Sequence, residues 1–161
     1  MAHVFGACIN IGYLVVPPEF VESAQAMKLA SNAGCSFMEQ VAAAEMLSNG
    51  SYENHLRRLR KTYMARRDVL IEALRRGFGD VQLIGTESGT QLTWLLPDHL
   101  SSAESVSEVA AMQGVHVESV VCESTTGASP FHDRALVLNY ARLGPDQLQQ
   151  GIERLAEALR L

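Results

Sequence analysis

The chain has 161 residues, 47% of them hydrophobic and 19% charged, with a formal net charge of -5 at pH 7. That length suits one ordinary hydrophobic core, and that composition excludes a disordered or collagen-like chain. The acidic balance, with a pI near 5.5, argues against a surface that neutralises phosphates throughout, so nucleic acid is not the default partner.

In chain order, residues Met1 to Gly6 place no basic stretch ahead of an apolar run. No export signal is read from them, and a cytoplasmic location is expected. The longest apolar run, Ile9 to Val16, is interrupted by Asn10 and Gly12 and falls short of the roughly 18 residues that span a bilayer, so no membrane partner is expected. That run is apolar on both parities, which predicts a strand covered on both faces and in need of neighbours. Pro17 and Pro18 end it. From Glu19 to about Ala33, Phe20, Ala24, Met27 and Ala30 keep helical spacing, and Gly34 closes the helix. Ser36 with Glu39 forms a capping-box sequence, opening a second helix that carries Phe37, Val41, Ala44 and Leu47 on one stripe. Tyr52, Leu56, Leu59, Tyr63, Leu70 and Leu74 then predict one long helix from Tyr52 to about Arg76. Its polar side is basic between positions 57 and 76, where Arg57, Arg58, Arg60, Lys61, Arg66, Arg67, Arg75 and Arg76 lie against only Asp68 and Glu72.

After Gly77 the pattern shortens. Strands are predicted at Val81 to Ile84 and Thr90 to Leu96, the second stopped by Pro97. Ser101 with Glu104 reads as another capping box, into a helix that ends near Gly114. A strand from Val115 to Val121, a loop from Glu123 to Asp133, a strand from Ala135 to Arg142 and a terminal amphipathic helix with Leu148, Ile152, Leu155 and Leu159 complete the chain.

Few residues carry recognisable chemistry. No glycine-rich phosphate cradle is present, and in Gly85-Thr-Glu-Ser-Gly89 the serine adjoins the second glycine, which is the wrong spacing for a nucleophile elbow. Cys8, Cys35 and Cys122 are odd in number and far apart, as expected of buried small hydrophobes rather than of a disulfide framework. His116, Cys122 and His132 are a conceivable metal-ligand set; surface or loop histidines are the ordinary reading, and no metal is assigned. The basic helix reads either as an electrostatic footprint for nucleic acid or as a solvated face or partner for acidic groups. The lack of interleaved aromatics favours the latter two.

The strings Gly12-Tyr-Leu-Val-Val-Pro-Pro18, Met38-Glu-Gln40, Tyr52-Glu-Asn-His-Leu-Arg-Arg-Leu-Arg-Lys61, Arg66-Arg-Asp-Val-Leu70 and Leu138-Asn-Tyr-Ala-Arg-Leu143 stand in an order and spacing that resembles the aminotransferase-like domain of MocR regulators, a branch of the GntR family. The resemblance covers nearly the whole chain. It implies an α+β segment in an α/β family context, the C-terminal portion of a fold-type I aminotransferase. Residues 1–51 would be a remnant of the large domain, 52–79 the connecting helix and 80–161 the small domain of sheet and helices.

The family's cofactor is pyridoxal phosphate, held as an aldimine by a lysine and through its phosphate by an arginine seven residues later. Those positions fall on His3 and Asn10, and no lysine occurs before Lys28. Histidine supplies no primary amine for a Schiff base, and Asn10, the one cofactor-binding candidate, can hydrogen-bond a phosphate without neutralising it. No covalent cofactor link and no catalytic residue are therefore expected on this chain. Where aminotransferases carry a carboxylate-binding arginine, the chain has Val137. Arg142, five residues on, would point to the opposite face of a strand. It reads as a surface ion pair or a helix cap, with effector binding as the alternative. The resemblance further implies a homodimer or a complementary aminotransferase chain as partner, an amino acid or amine effector, and DNA contact only through a winged-helix reader for which 161 residues leave no room. The alternative reading is an interaction or dimerisation module that pairs with a full-length or split aminotransferase.

Overall fold

The computed structural model describes residues 11–32, 34, 36–120, 131 and 133–159. The chain divides into two compact units, Met1–Arg60 and Lys61–Leu161.

In the first unit, residues 11–17 belong to no helix or strand. This corrects the strand expected over Ile9 to Val16, whose first two residues lie outside the described ones. A strand is stabilised by its ladder partners, and no described strand lies beside this segment. Its side chains are correspondingly bare, Tyr13 at 84%, Leu14 at 78% and Val15 at 84% exposure. A single 3-10 turn, Pro18–Phe20, leads into α1 (Val21–Asn32); proline suits the first helical position because its missing N–H would have no partner there. α2 (Phe37–Ser48) starts as expected, with the Ser36 hydroxyl accepting the Glu39 N–H at 3.5 Å. Its apolar stripe, however, lies open: Phe37, Val41 and Leu47 are exposed, and Ala43 is the only buried hydrophobic among this unit's described residues.

α3 (Ser51–Phe78) crosses the boundary between the units as one continuous helix. In the second unit it buries Leu70, Ala73 and Leu74. Gly79 then stops it at φ 76°, a left-handed conformation in which its N–H reaches the Arg75 carbonyl at 2.9 Å. There follow β1 (Gln82–Ile84), β2 (Gln91–Leu95), α4 (Ala103–Met112), β3 (Glu118–Ser119), β4 (Ala135–Asn139) and α5 (Pro145–Leu159). The strands form an antiparallel sheet in the order β1-β2-β4-β3, with Leu92 opposite Leu138 and Trp94 opposite Leu136. Those four residues share one face and pack with Leu74 of α3, Val106 of α4 and Leu155 of α5 in a single core. The Trp94 ring meets that of Phe78 at 4.5 Å between centroids, tilted by 48°. The segment is α+β, as expected.

Several element boundaries differ from the sequence reading, three of them for a visible reason or by a sizeable amount. Ser102, not Ser101, caps α4, its hydroxyl accepting the Ser105 N–H at 3.2 Å. The strand expected from Val115 to Val121, whose last residue lies outside the described ones, is Glu118–Ser119 among the described residues. The strand expected to reach Arg142 ends at Asn139, whose side-chain oxygen accepts the Ala141 N–H at 3.0 Å and turns the backbone out of the ladder.

Candidate functional site

The candidate site residues fall in two places. His3 and Asn10, at the family's lysine and arginine positions, lie outside the described residues, as do Cys8, Cys35, Cys122 and His132. Among the described residues no group of three or more histidine, cysteine, aspartate or glutamate side chains could hold a metal ion. The remaining candidates, Val137 and Arg142, lie in and after β4.

Val137 pairs with Thr93 of β2 and Glu118 of β3. It alternates with the buried Leu136 and Leu138 and so faces away from the core, half-buried. Arg142 sits in the turn beyond the strand, so the opposite-face argument does not apply to it. It is exposed and forms neither the expected ion pair nor a cap with any described residue.

The other arginines nearby are occupied by main-chain carbonyls. Arg66 donates to the Ala141 carbonyl. Arg67 donates to the Thr86 carbonyl at 2.9 Å and is ion-paired with Asp68 at 2.7 Å. Arg134, immediately before β4, donates to Leu96 at 3.0 Å, Leu100 at 3.1 Å and Ser101 at 3.3 Å, and also to Pro97. The turn that carries Arg142 is thus tied from both sides, because the Tyr140 hydroxyl also donates to the Gly89 carbonyl at 3.0 Å and the Tyr140 N–H to Thr90 at 3.0 Å. Burial pushes the Tyr140 phenol above its usual value, and the nearby Arg67 guanidinium offsets part of that rise. The Asp68 hydrogen bond, in turn, makes Arg67 still harder to deprotonate.

The sequence does not single out Arg66, Arg67, Arg134 and Tyr140 as a group. Arg66 and Arg67 merge there into a basic stripe, although they are the only adjacent pair in the helix followed directly by an aspartate. Asp133, beside Arg134, adopts a φ of 59°, and its carbonyl accepts the Ala103 N–H at 2.8 Å while its carboxylate accepts that of Glu104 at 3.4 Å. Such a long-range cap on α4 leaves no local sequence signal.

A phosphorylated, aldehyde-bearing cofactor needs a cationic fork and an amine directed at it. The positions that the resemblance assigns to those two roles, His3 and Asn10, lie outside the described residues. Arg66, Arg67 and Arg134 are spent on carbonyls, while Lys28 and Lys61 stand on exposed helix surface.

The family described as aminotransferase class I and II matches residues 6–155. A probable rhizopine catabolism regulatory protein, MocR of Rhizobium meliloti, is 30% identical over 156 residues, covering 93% of this chain and 30% of that protein. The HTH-type transcriptional regulator YhdI of Bacillus subtilis (strain 168) is 28% identical over 151 residues, 93% of this chain and 31% of its own length. The chain thus spans about a third of these relatives. Among solved structures, LysN, the alpha-aminoadipate aminotransferase of Thermus thermophilus, superposes with a TM-score of 0.82 at 23% identity, over 98% of this chain and 39% of that one. An archaeal alanine:glyoxylate aminotransferase does so with a TM-score of 0.80 at 21% identity, over 99% and 39%. These likenesses show the fold.

Proposed function

The chain belongs to the aminotransferase class I and II family, matching the aminotransferase-like domain of MocR-type regulators, and from that premise we propose that it is a C-terminal segment of such a domain without catalysis of its own. One observation carries the reading: the position of the family's lysine holds His3, and the first lysine of the chain is Lys28, on an exposed helix. No lysine side chain therefore stands at the position of the covalent link on which transamination depends. Asn10 and Val137 extend the same pattern, each a neutral side chain where the family has an arginine. An absorbance titration of the purified chain with pyridoxal phosphate tests the reading. Unsaturable, weak changes are expected, and a saturable band at one equivalent contradicts it.

Within this reading, Arg142 is the guanidinium that could meet an effector's carboxylate, because the arginines around it are committed to carbonyls. Arg142→Ala should abolish any thermal stabilisation by an amino acid effector and leave the unliganded melting temperature unchanged.

A second reading is favoured by the first unit. A unit with Ala43 as its one buried hydrophobic among the described residues has little core of its own, so the chain also acts as an association module for another aminotransferase-like chain, whether a second copy, a full-length relative or a split partner. Size-exclusion chromatography with light scattering tests this, and a monomer that ignores every such partner contradicts it.

A further inference from the structure

We infer that Asn49 is a site of intramolecular deamidation, where the Gly50 main-chain nitrogen attacks the asparagine side chain and the first N–H of α3 stabilises the charge that develops there.

Asn49 and Gly50 are the whole connection between α2 and α3. Of the asparagines, at positions 10, 32, 49, 54 and 139, only Asn49 is followed by glycine. Glycine has no side chain to crowd the attacking nitrogen, and its conformational freedom lets the turn reach the ring-closing geometry. Gly50 holds a φ of 75°, and its N–H forms no hydrogen bond with any described residue. Asn49 is exposed, and its side-chain oxygen accepts the Ser51 N–H at 2.9 Å. No described residue holds its Nδ2. Nucleophile and leaving group are therefore both unencumbered, while the oxygen beside them is already hydrogen-bonded. The other described asparagines lack this combination. The Tyr140 N–H, next after Asn139, donates to the Thr90 carbonyl at 3.0 Å. Asn54 lies within α3, where helical bonds occupy the main-chain nitrogens, and Asn32 precedes Ala33, whose methyl group crowds the attack.

The step needs only water. The Gly50 nitrogen gives its proton to solvent and bonds to the Asn49 Cγ, a closure favoured because both atoms belong to one short stretch of chain. Negative charge gathers on Oδ1, where the Ser51 N–H and the positive end of the α3 dipole stabilise it. The Cγ–Nδ2 bond then breaks, ammonia leaves with a proton taken from water, and a cyclic imide remains. Water adds to either imide carbonyl. Opening at Cγ gives aspartate, and opening at the main-chain carbonyl gives isoaspartate, with the chain rerouted through the former side chain. Nothing is oxidised or reduced. Aspartate leaves a carboxylate at the start of α3, whereas isoaspartate adds a methylene to the connection between the helices.

Incubation of the full chain at mildly alkaline pH, digestion and peptide mass mapping read the exchange of NH2 for OH, with the chain unfolded in guanidinium chloride as reference. Asn49 should convert in the folded chain within about tenfold of its unfolded rate, and about tenfold or more ahead of Asn32, Asn54 and Asn139. Ser51→Pro suits the first position of α3 but removes the N–H that Asn49 accepts. It should slow conversion about threefold or more, the worth of one hydrogen bond. Gly50→Ala should slow it further. Because alanine is strained at that φ, circular dichroism of both variants checks that the helices remain. A folded chain whose Asn49 survives full conversion of the unfolded one overturns the inference, as does conversion no faster than at the other asparagines. Conversion of Ser51→Pro at the parent's rate overturns the part given to the α3 N–H.

Discussion

Arg134 satisfies carbonyls of four residues between Leu96 and Ser101 from one guanidinium, a geometry that an ammonium on a flexible stem cannot reproduce. Arg134→Ala should therefore cost about 2 to 3 kcal/mol, and Arg134→Lys most of that, in urea unfolding followed by Trp94 emission. Tyr140 makes a pH-dependent contribution. Its folded-state pKa is raised by burial above the usual value near 10, so the stability it brings is complete below that value and is lost as pH rises through the folded pKa. Tyr140→Phe should be less stable than the parent at pH 7 by about 1 kcal/mol, for the lost bond to Gly89. The gap should close or reverse above about pH 10. A gap constant across that range would contradict this assignment.

At the scale of elements, the two units respond differently to the same chemical change. Leu155→Ala removes a fully buried side chain of α5 and should cost about 2 to 5 kcal/mol. Val41→Ala on the open stripe of α2 should change stability by less than about 0.5 kcal/mol in the monomer. Denaturant unfolding of both variants checks this. The contrast also shows what is legible in the sequence. Spacing and stop residues locate the five described helices, because 3.6-residue periodicity, the Pro17-Pro18 pair, Gly34 and Gly114 are local signals. That periodicity identifies an apolar face without saying what covers it, so Phe37 and Val41 read as a stripe and are exposed. Strand ends are less legible: Asn139 releases β4 three residues early through one side-chain bond, and the run before Pro17 has strand composition but no described ladder partner.

For the whole molecule, family membership is legible from strings distributed over most of the chain, whereas the proposed site is read only from the residues that stand where the resemblance expects a lysine and two arginines. The carbonyl-binding arginines and the Asp133 cap join residues tens of positions apart and become visible only in the fold. The central claim concerns the covalent link. Incubation with pyridoxal phosphate, borohydride reduction and peptide mass mapping, with full-length MocR of Rhizobium meliloti treated in parallel, tests it directly. The expected result is no stoichiometric phosphopyridoxyl adduct, only sparse labelling of Lys28 and Lys61 that scales with reagent. One equivalent of adduct at a single lysine of this chain, reached at saturation, would contradict it.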